Sequence, residues 1–157
     1  MKKLKITIIL VSFVLISSCG FKPINLEDSK TINFKNINIS GDKKISYNLR
    51  NNILLISNND SKNVQDIDIK IQKEKTSKIK DKTGKITRYN LSISAILKLT
   101  NLKDSSIVEK TFSQNEDFYV SAVHIDTINN EENAVKNIID QLSTDIINFI
   151  TLRMRNR

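Results

Sequence analysis

Along this chain apolar residues first alternate, then recur at helical spacing, then alternate again. In "TINFKNINIS" (31–40) Ile32 and Phe34 hold one phase, and Ile37 and Ile39 hold the other. The slip falls at Lys35-Asn36, which predicts a strand carrying a bulge. Gly41-Asp42 breaks the run, and Asp42 is suited to cap a helix. Ile45, Leu49, Ile53 and Ile56 then form a single helical stripe. In "DIDIKIQ" (66–72) Ile67, Ile69 and Ile71 alternate strictly, which predicts a strand with one buried face.

From Gln72 to Arg88 the apolar rhythm stops, and "QKEKTSKIKDKTGKITR" reads as a polar, lysine-rich loop with a solvated hairpin tip. A long strand follows. Tyr89, Leu91, Ile93, Ala95, Leu97 and Leu99 share one face, while Asn90, Ser92, Ser94 and Lys98 share the other. Asn101 to Ser105 reads as a turn, and Ser106 to about Gln114 as the next strand, with Val108 and Phe112 in phase. The last element is a helix over about 130–155, roughly 39 Å long. Glu131 and Glu132 open it and Arg153 and Arg155 close it, both favourable to the helix dipole. Its stripe is Val135, Ile138, Ile139, Leu142, Ile146, Phe149 and Ile150. The order β-α-β-β-β-α predicts an α+β fold. It is a two-layer sandwich, with two helices packed on one face of a four-stranded sheet. Only the first β-α-β step can be a crossover, so the sheet is expected to be mainly antiparallel.

The N-terminus follows a different logic. Met1-Lys2-Lys3-Leu4-Lys5 is cationic, and Ile6 to Ile16 is apolar but for Thr7 and Ser12. Such a run fits the h-region of a secretory signal and is too short to span a bilayer. Ser17-Ser18 then leads directly into Cys19, the single cysteine. "ISSC" resembles the lipobox of bacterial lipoproteins, with Ile16 where leucine is more usual. That resemblance implies cleavage before Cys19 and a thioether from its sulfur to diacylglycerol. Residues 1–18 are then the signal peptide, 19–30 a lipid-anchored tether and 31–157 the domain. Two or more acyl chains suffice for stable anchoring without a transmembrane helix. The competing reading is an ordinary secretory signal with a chance cysteine, but no second cysteine is present to form a disulfide. Gly20 is compatible with outer-membrane sorting by analogy with enterobacteria, where aspartate at this position retains lipoproteins in the inner membrane.

The formal charge is +8 over 157 residues; without residues 1–18 and their three lysines, 139 residues carry +5. One domain of that size can bury its own core. The positive balance suits an anionic partner, although a composition rich in Lys, Asn and Ile accounts for part of it. Export argues against nucleic acid. Between Lys73 and Arg88 seven cations, Lys73, Lys75, Lys78, Lys80, Lys82, Lys85 and Arg88, face two acids, Glu74 and Asp81. On charge grounds that makes them candidates for binding anionic lipid head groups; a solvated hairpin is the plain alternative. No cofactor is implied, and an enzyme is not expected. His124 is the single histidine, no Gly-x-Ser-x-Gly elbow accompanies it and Asp126, and no Cys/His metal set can form. Asp66 and Asp68 share a strand face and read as solvated.

Several segments together resemble the lipopolysaccharide-assembly lipoprotein family LptE, once called rare lipoprotein B, in its shorter alphaproteobacterial form. They are "CGFKP", "LRNNILLI", "YNLSISAILKLTN", "EKTFSQNEDFYVS" and the terminal "LRMRNR". The resemblance covers most of the chain beyond residue 18. It implies two helices on a four-stranded sheet and a lipoprotein of the periplasmic face of the outer membrane. It also implies a non-enzymatic role as plug and assembly partner of the β-barrel LptD, in carrying lipopolysaccharide to the surface. Two other readings stand beside it: an auxiliary periplasmic lipoprotein of an ABC-type phospholipid transport system, and a lipid-carrying or lipid-modifying protein, which would need a sizeable apolar cavity.

Overall fold

The computed structural model describes residues 32–155; Cys19 and the segment 1–31 lie outside them. The elements are β1 (Asn33–Ser40), α1 (Lys43–Leu54), β2 (Val64–Lys80), β3 (Ile86–Asn101), β4 (Ile107–Tyr119) and α2 (His124–Arg155). The sheet order is β1-β2-β3-β4. β1 runs parallel to β2, and the other two pairings are antiparallel. Both helices pack on one face, as the α+β reading expects. The core joins Ile45, Leu49 and Ile53 of α1 to Ile67, Leu91, Ile93 and Leu97 of the sheet and to Ile138, Leu142 and Ile146 of α2.

The phase slip in β1 is a register shift between Phe34 and Asn36. Asp66 stabilises it by accepting from both the backbone N–H and the side-chain amide of Asn36. Asp42 caps α1, its carboxylate accepting from the N–H groups of Lys44 and Ile45. Ser143, buried on α2, accepts from Asn52 of α1 at 2.9 Å and donates to the Ile139 carbonyl at 2.7 Å, joining the helices by a polar contact inside an apolar seam. Between Ile45, Leu49, Ile71, Ala95, Ile139 and Leu142 no space the size of a water remains.

Three elements outrun the apolar pattern. β2 continues to Lys80 and β3 begins at Ile86, so most of the expected loop from Gln72 to Arg88 is paired strand and the turn is confined to 81–85. Lys73 and Lys75 take the positions on the helix-facing side where isoleucines stood before, which hides the continued alternation. β4 reaches Tyr119 rather than Gln114. Two of its helix-facing positions there are polar yet bonded to α2, Gln114 donating to Asp145 and Asn137 donating to Glu116, and only Phe118 beyond them returns to the buried core. α2 begins at His124 rather than near 130. Thr127 holds the added turns, its hydroxyl accepting from the Ser121 N–H at 2.9 Å. At 32 residues the helix is about 48 Å long.

The topology separates two ends. One gathers Ile32, the last turns of both helices and the β3–β4 turn. The other gathers the first turn of α2 and the β2–β3 turn, while α1 begins part-way along β2, where Gly41 meets Ile71 and Lys44 meets Glu132. The 17 residues of β2 place them roughly 55 Å apart.

Candidate functional site

The cations from Lys73 to Arg88 form three groups rather than one loop. Lys73 and Lys75 lie on the helix-facing side of β2, and Glu131 of α2 receives both, at 3.5 and 2.9 Å. The Lys75 ammonium also stands 5.2 Å from the ring centre of Tyr89 and 5.8 Å from that of Phe118. The aliphatic stem of Lys75 thus covers apolar surface while its charge is met by ring faces and a carboxylate. Burial raises the pKa of Glu131, but hydrogen bonds and charge from Lys75 and Lys73 outweigh it and hold the carboxyl below its usual range.

The second group lies where β2, β3 and β4 meet. Asp117 accepts from Lys78 at 2.6 Å and from the Asn90 amide at 2.8 Å, with Arg88 at 3.9 Å. The hydrogen bond from Lys78 and then that from Asn90 hold its carboxyl below the usual range. Arg88 donates to the Tyr119 hydroxyl and stands 4.2 Å from the centre of that ring.

The third group is the tip. Asp81 organises the turn by accepting from the Thr83 hydroxyl and from the N–H groups of Thr83 and Lys85. Gly84 takes a positive φ of 85°, which an L side chain disfavours. The Thr83 hydroxyl bond, first among these contacts, lowers the Asp81 pKa. Lys80, Lys82 and Lys85 are exposed, and none has a carboxylate within 4.0 Å among the described residues. Of the seven candidate cations these three present their charge outward. The missed partners, Glu131 and Asp117, lie 56 and 39 residues from the lysines they meet. The acids were visible in sequence; their pairing needed the register.

The open face of β2–β4 is polar over most of its area. Its rows run Gln72–Ser94–Ser113, Glu74–Ser92–Asn115 and Thr76–Asn90–Asp117. No charged residue occurs from Tyr89 to Leu97. Asp66 and Asp68 sit on this face and accept from Asn36 and Asn38 of β1. His124 is the first residue of α2. Among the described residues no group of three His, Cys, Asp or Glu side chains converges. No helix among them is long and apolar enough to cross a membrane.

The family model for LptE, described as lipopolysaccharide-assembly, matches residues 28–150. The chain belongs to the LptE family. The family is one of lipopolysaccharide-assembly factors rather than an enzyme family. Rare lipoprotein B from Shewanella oneidensis has the same fold, with a TM-score of 0.61 and 16% identity over 77% of this chain and 97% of that one. An uncharacterized lipoprotein B from Nitrosomonas europaea superposes with a TM-score of 0.55 and 16% identity, covering 87% of this chain and 93% of its own. No functionally curated protein matches the chain.

Proposed function

We propose that this LptE-family chain is an outer-membrane lipoprotein, anchored through Cys19 on the periplasmic face, that plugs an LptD-type β-barrel and assists lipopolysaccharide to the surface. The observation that carries this reading is the separation of the two ends. The described chain starts at the end opposite the lysine turn, roughly 55 Å away along β2. A bilayer with its headgroups is about 40–45 Å thick. A sandwich tethered at the inner leaflet and threaded through a barrel would therefore bring Lys80, Lys82 and Lys85 to the level of the opposite leaflet. There they could meet the phosphates of lipopolysaccharide. The open sheet face agrees with this placement, since a barrel lumen is polar and wet.

Affinity capture from detergent-solubilised outer membranes, followed by mass spectrometry, tests the partner. A large outer-membrane β-barrel is the expected co-purifying protein. Recovery of an inner-membrane ATPase without a barrel would transfer the chain to the alternative, an auxiliary lipoprotein of phospholipid transport.

A further inference from the structure

Nine leucines lie among residues 32–155. Leu49, Leu91, Leu97, Leu99 and Leu142 are buried in the core, and the other four, Leu54, Leu55, Leu102 and Leu152, are exposed. All four exposed leucines lie at one end of the sandwich, the end at which the described chain starts. Leu54 ends α1 and Leu55 caps it, and the Leu54 carbonyl accepts from the N–H of Ser57, which bridges to Ile32. Leu102 opens the β3–β4 turn, its N–H donating to the Val64 carbonyl. Leu152 is in the last turn of α2, where Met154 accepts from the Asn63 amide. Buried residues lie close by in sequence: Ile56 beside Leu55, Leu99 before Leu102 and Ile150 before Leu152. The leucines therefore stand where the two layers run out and no described residue covers them. Single exposed apolar side chains are ordinary on a protein surface, whereas a group of them at one end marks a contact surface. The charges there nearly balance, Lys62, Lys103 and Arg153 against Asp60 and Asp104, so this end offers apolar surface rather than charge.

We propose that Leu54, Leu55, Leu102 and Leu152 seat this end of the domain in the acyl layer of the membrane leaflet that holds the Cys19 lipid. The seat rests on the anchor reading above and adds to it a direct contact between the folded domain and hydrocarbon. Twelve residues, 20–31, separate the anchor from Ile32, and they reach at most about 40 Å. The leaflet is thus within range of all four leucines, but a tether of that length does not orient the domain. The acyl anchor keeps the local concentration of lipid high, so side-chain contacts too weak to hold a membrane by themselves suffice to set the orientation. The lysine hairpin then points away from the leaflet. Because the contact is apolar, a zwitterionic leaflet serves as well as an anionic one.

The chain has no tryptophan, so a single introduced indole reports its own surroundings. The full acylated chain is reconstituted in phosphatidylcholine vesicles, either plain or with bromine on the acyl chains as a contact quencher. Three reporters are compared: Leu55→Trp, Leu102→Trp and, toward the opposite end, Tyr119→Trp, where an exposed aromatic ring is already present. A fourth form, Leu54→Gln/Leu55→Gln/Leu102→Trp, removes two of the leucines and keeps a reporter. Leu55→Trp and Leu102→Trp are expected to lose about half of their emission to the brominated chains, as befits side chains about 5–10 Å into the interface. Tyr119→Trp should keep its emission, and the fourth form should recover most of what Leu102→Trp loses. The quenching should hold from about 0.1 to 1 M salt, where charge attraction is screened. Flotation with the vesicles reads the anchor separately. A chain that floats without quenching at Leu55→Trp and Leu102→Trp overturns the seat and leaves the anchor standing; residues 20–31 or a protein partner are then what meets this end. Equal quenching of Tyr119→Trp, quenching that survives in the fourth form, or quenching that disappears at high salt overturns it as well. A chain that does not float removes the anchor and the seat together.

Discussion

Gly41 lies against the backbone of Ile71: a Cβ at position 41 would stand 2.6 Å from the Ile71 carbonyl oxygen. Its φ of +124° is also one that an L side chain rarely adopts. At this point the chain leaves the sheet after β1 and turns into α1, passing directly over β2. Gly41→Ala is expected to cost about 2–4 kcal/mol, joining backbone strain to a clash with main chain that cannot swing away. Gly84 is the internal comparison, because a Cβ there would meet nothing within 4 Å and only the φ of +85° opposes substitution. Gly84→Ala should cost about 1–2 kcal/mol. Urea unfolding of the two variants checks the order, and equal losses would mean that the contact with Ile71 contributes nothing.

Acid should first loosen the half of the sandwich nearer the β2–β3 turn, where Asp117 and Glu131 lie. Asp117 and Glu131 are both held below their ordinary range in the folded chain. Their ionised forms therefore favour folding at neutral pH. That contribution is complete above the unfolded carboxyl values of about 4 and is lost as pH falls through the lower folded values. The urea midpoint is expected to hold from about pH 7 to 5 and to fall below about pH 4. In an Asp117→Asn/Glu131→Gln variant it should start lower and fall less steeply.

The same two acids show how much could be read before the structure. The element order, the bulge at Lys35-Asn36 and the cap at Asp42 were legible because each is a local matter of period or turn chemistry. The extra length of β2, β4 and α2 was not. In β2 and β4 inward positions beyond the apolar run are polar and their partners are distant in sequence, Lys75 with Glu131 and Gln114 with Asp145, while the first turns of α2 rest on a local contact, Ser121 with Thr127, that carries no apolar period. Apolar periodicity cannot report a strand whose inward positions are satisfied by hydrogen bonds. The candidate site suffered for the same reason. Seven cations counted together in sequence divide into paired and outward-facing groups only once β2 is in register with β3.

Cys19 carries the anchoring claim, with no second cysteine to substitute for it. Cells labelled with a radioactive fatty acid should mark the parent chain and leave Cys19→Ala unmarked. The variant should also leave the membrane fraction on mild washing, because stable attachment depends on two or more acyl chains. Label that persists on Cys19→Ala would remove the lipoprotein reading.

The outward lysines make the sharpest functional prediction. Lys73 and Lys75 are already engaged by Glu131, so a ligand would have to compete with a neighbouring carboxylate for them. Among the described residues Lys80, Lys82 and Lys85 have no carboxylate within 4.0 Å, and they project from a turn that Asp81 and Gly84 shape. Lys80→Gln/Lys82→Gln/Lys85→Gln is therefore expected to weaken lipopolysaccharide binding about tenfold or more at low salt, since charge-assisted bonds to phosphate are the stronger kind. Lys73→Gln/Lys75→Gln should change binding less and stability more. Salt supplies the second axis. The screening length is about 10 Å at 0.1 M and about 3 Å at 1 M, so the parent's advantage should shrink as salt rises. A tip variant that binds as well as the parent at both salts would leave the hairpin as a solvated end, with its charge serving only solubility. Equal losses from the two variants would instead extend the binding surface down the helix-facing side of β2, at the expense of the Glu131 pairs.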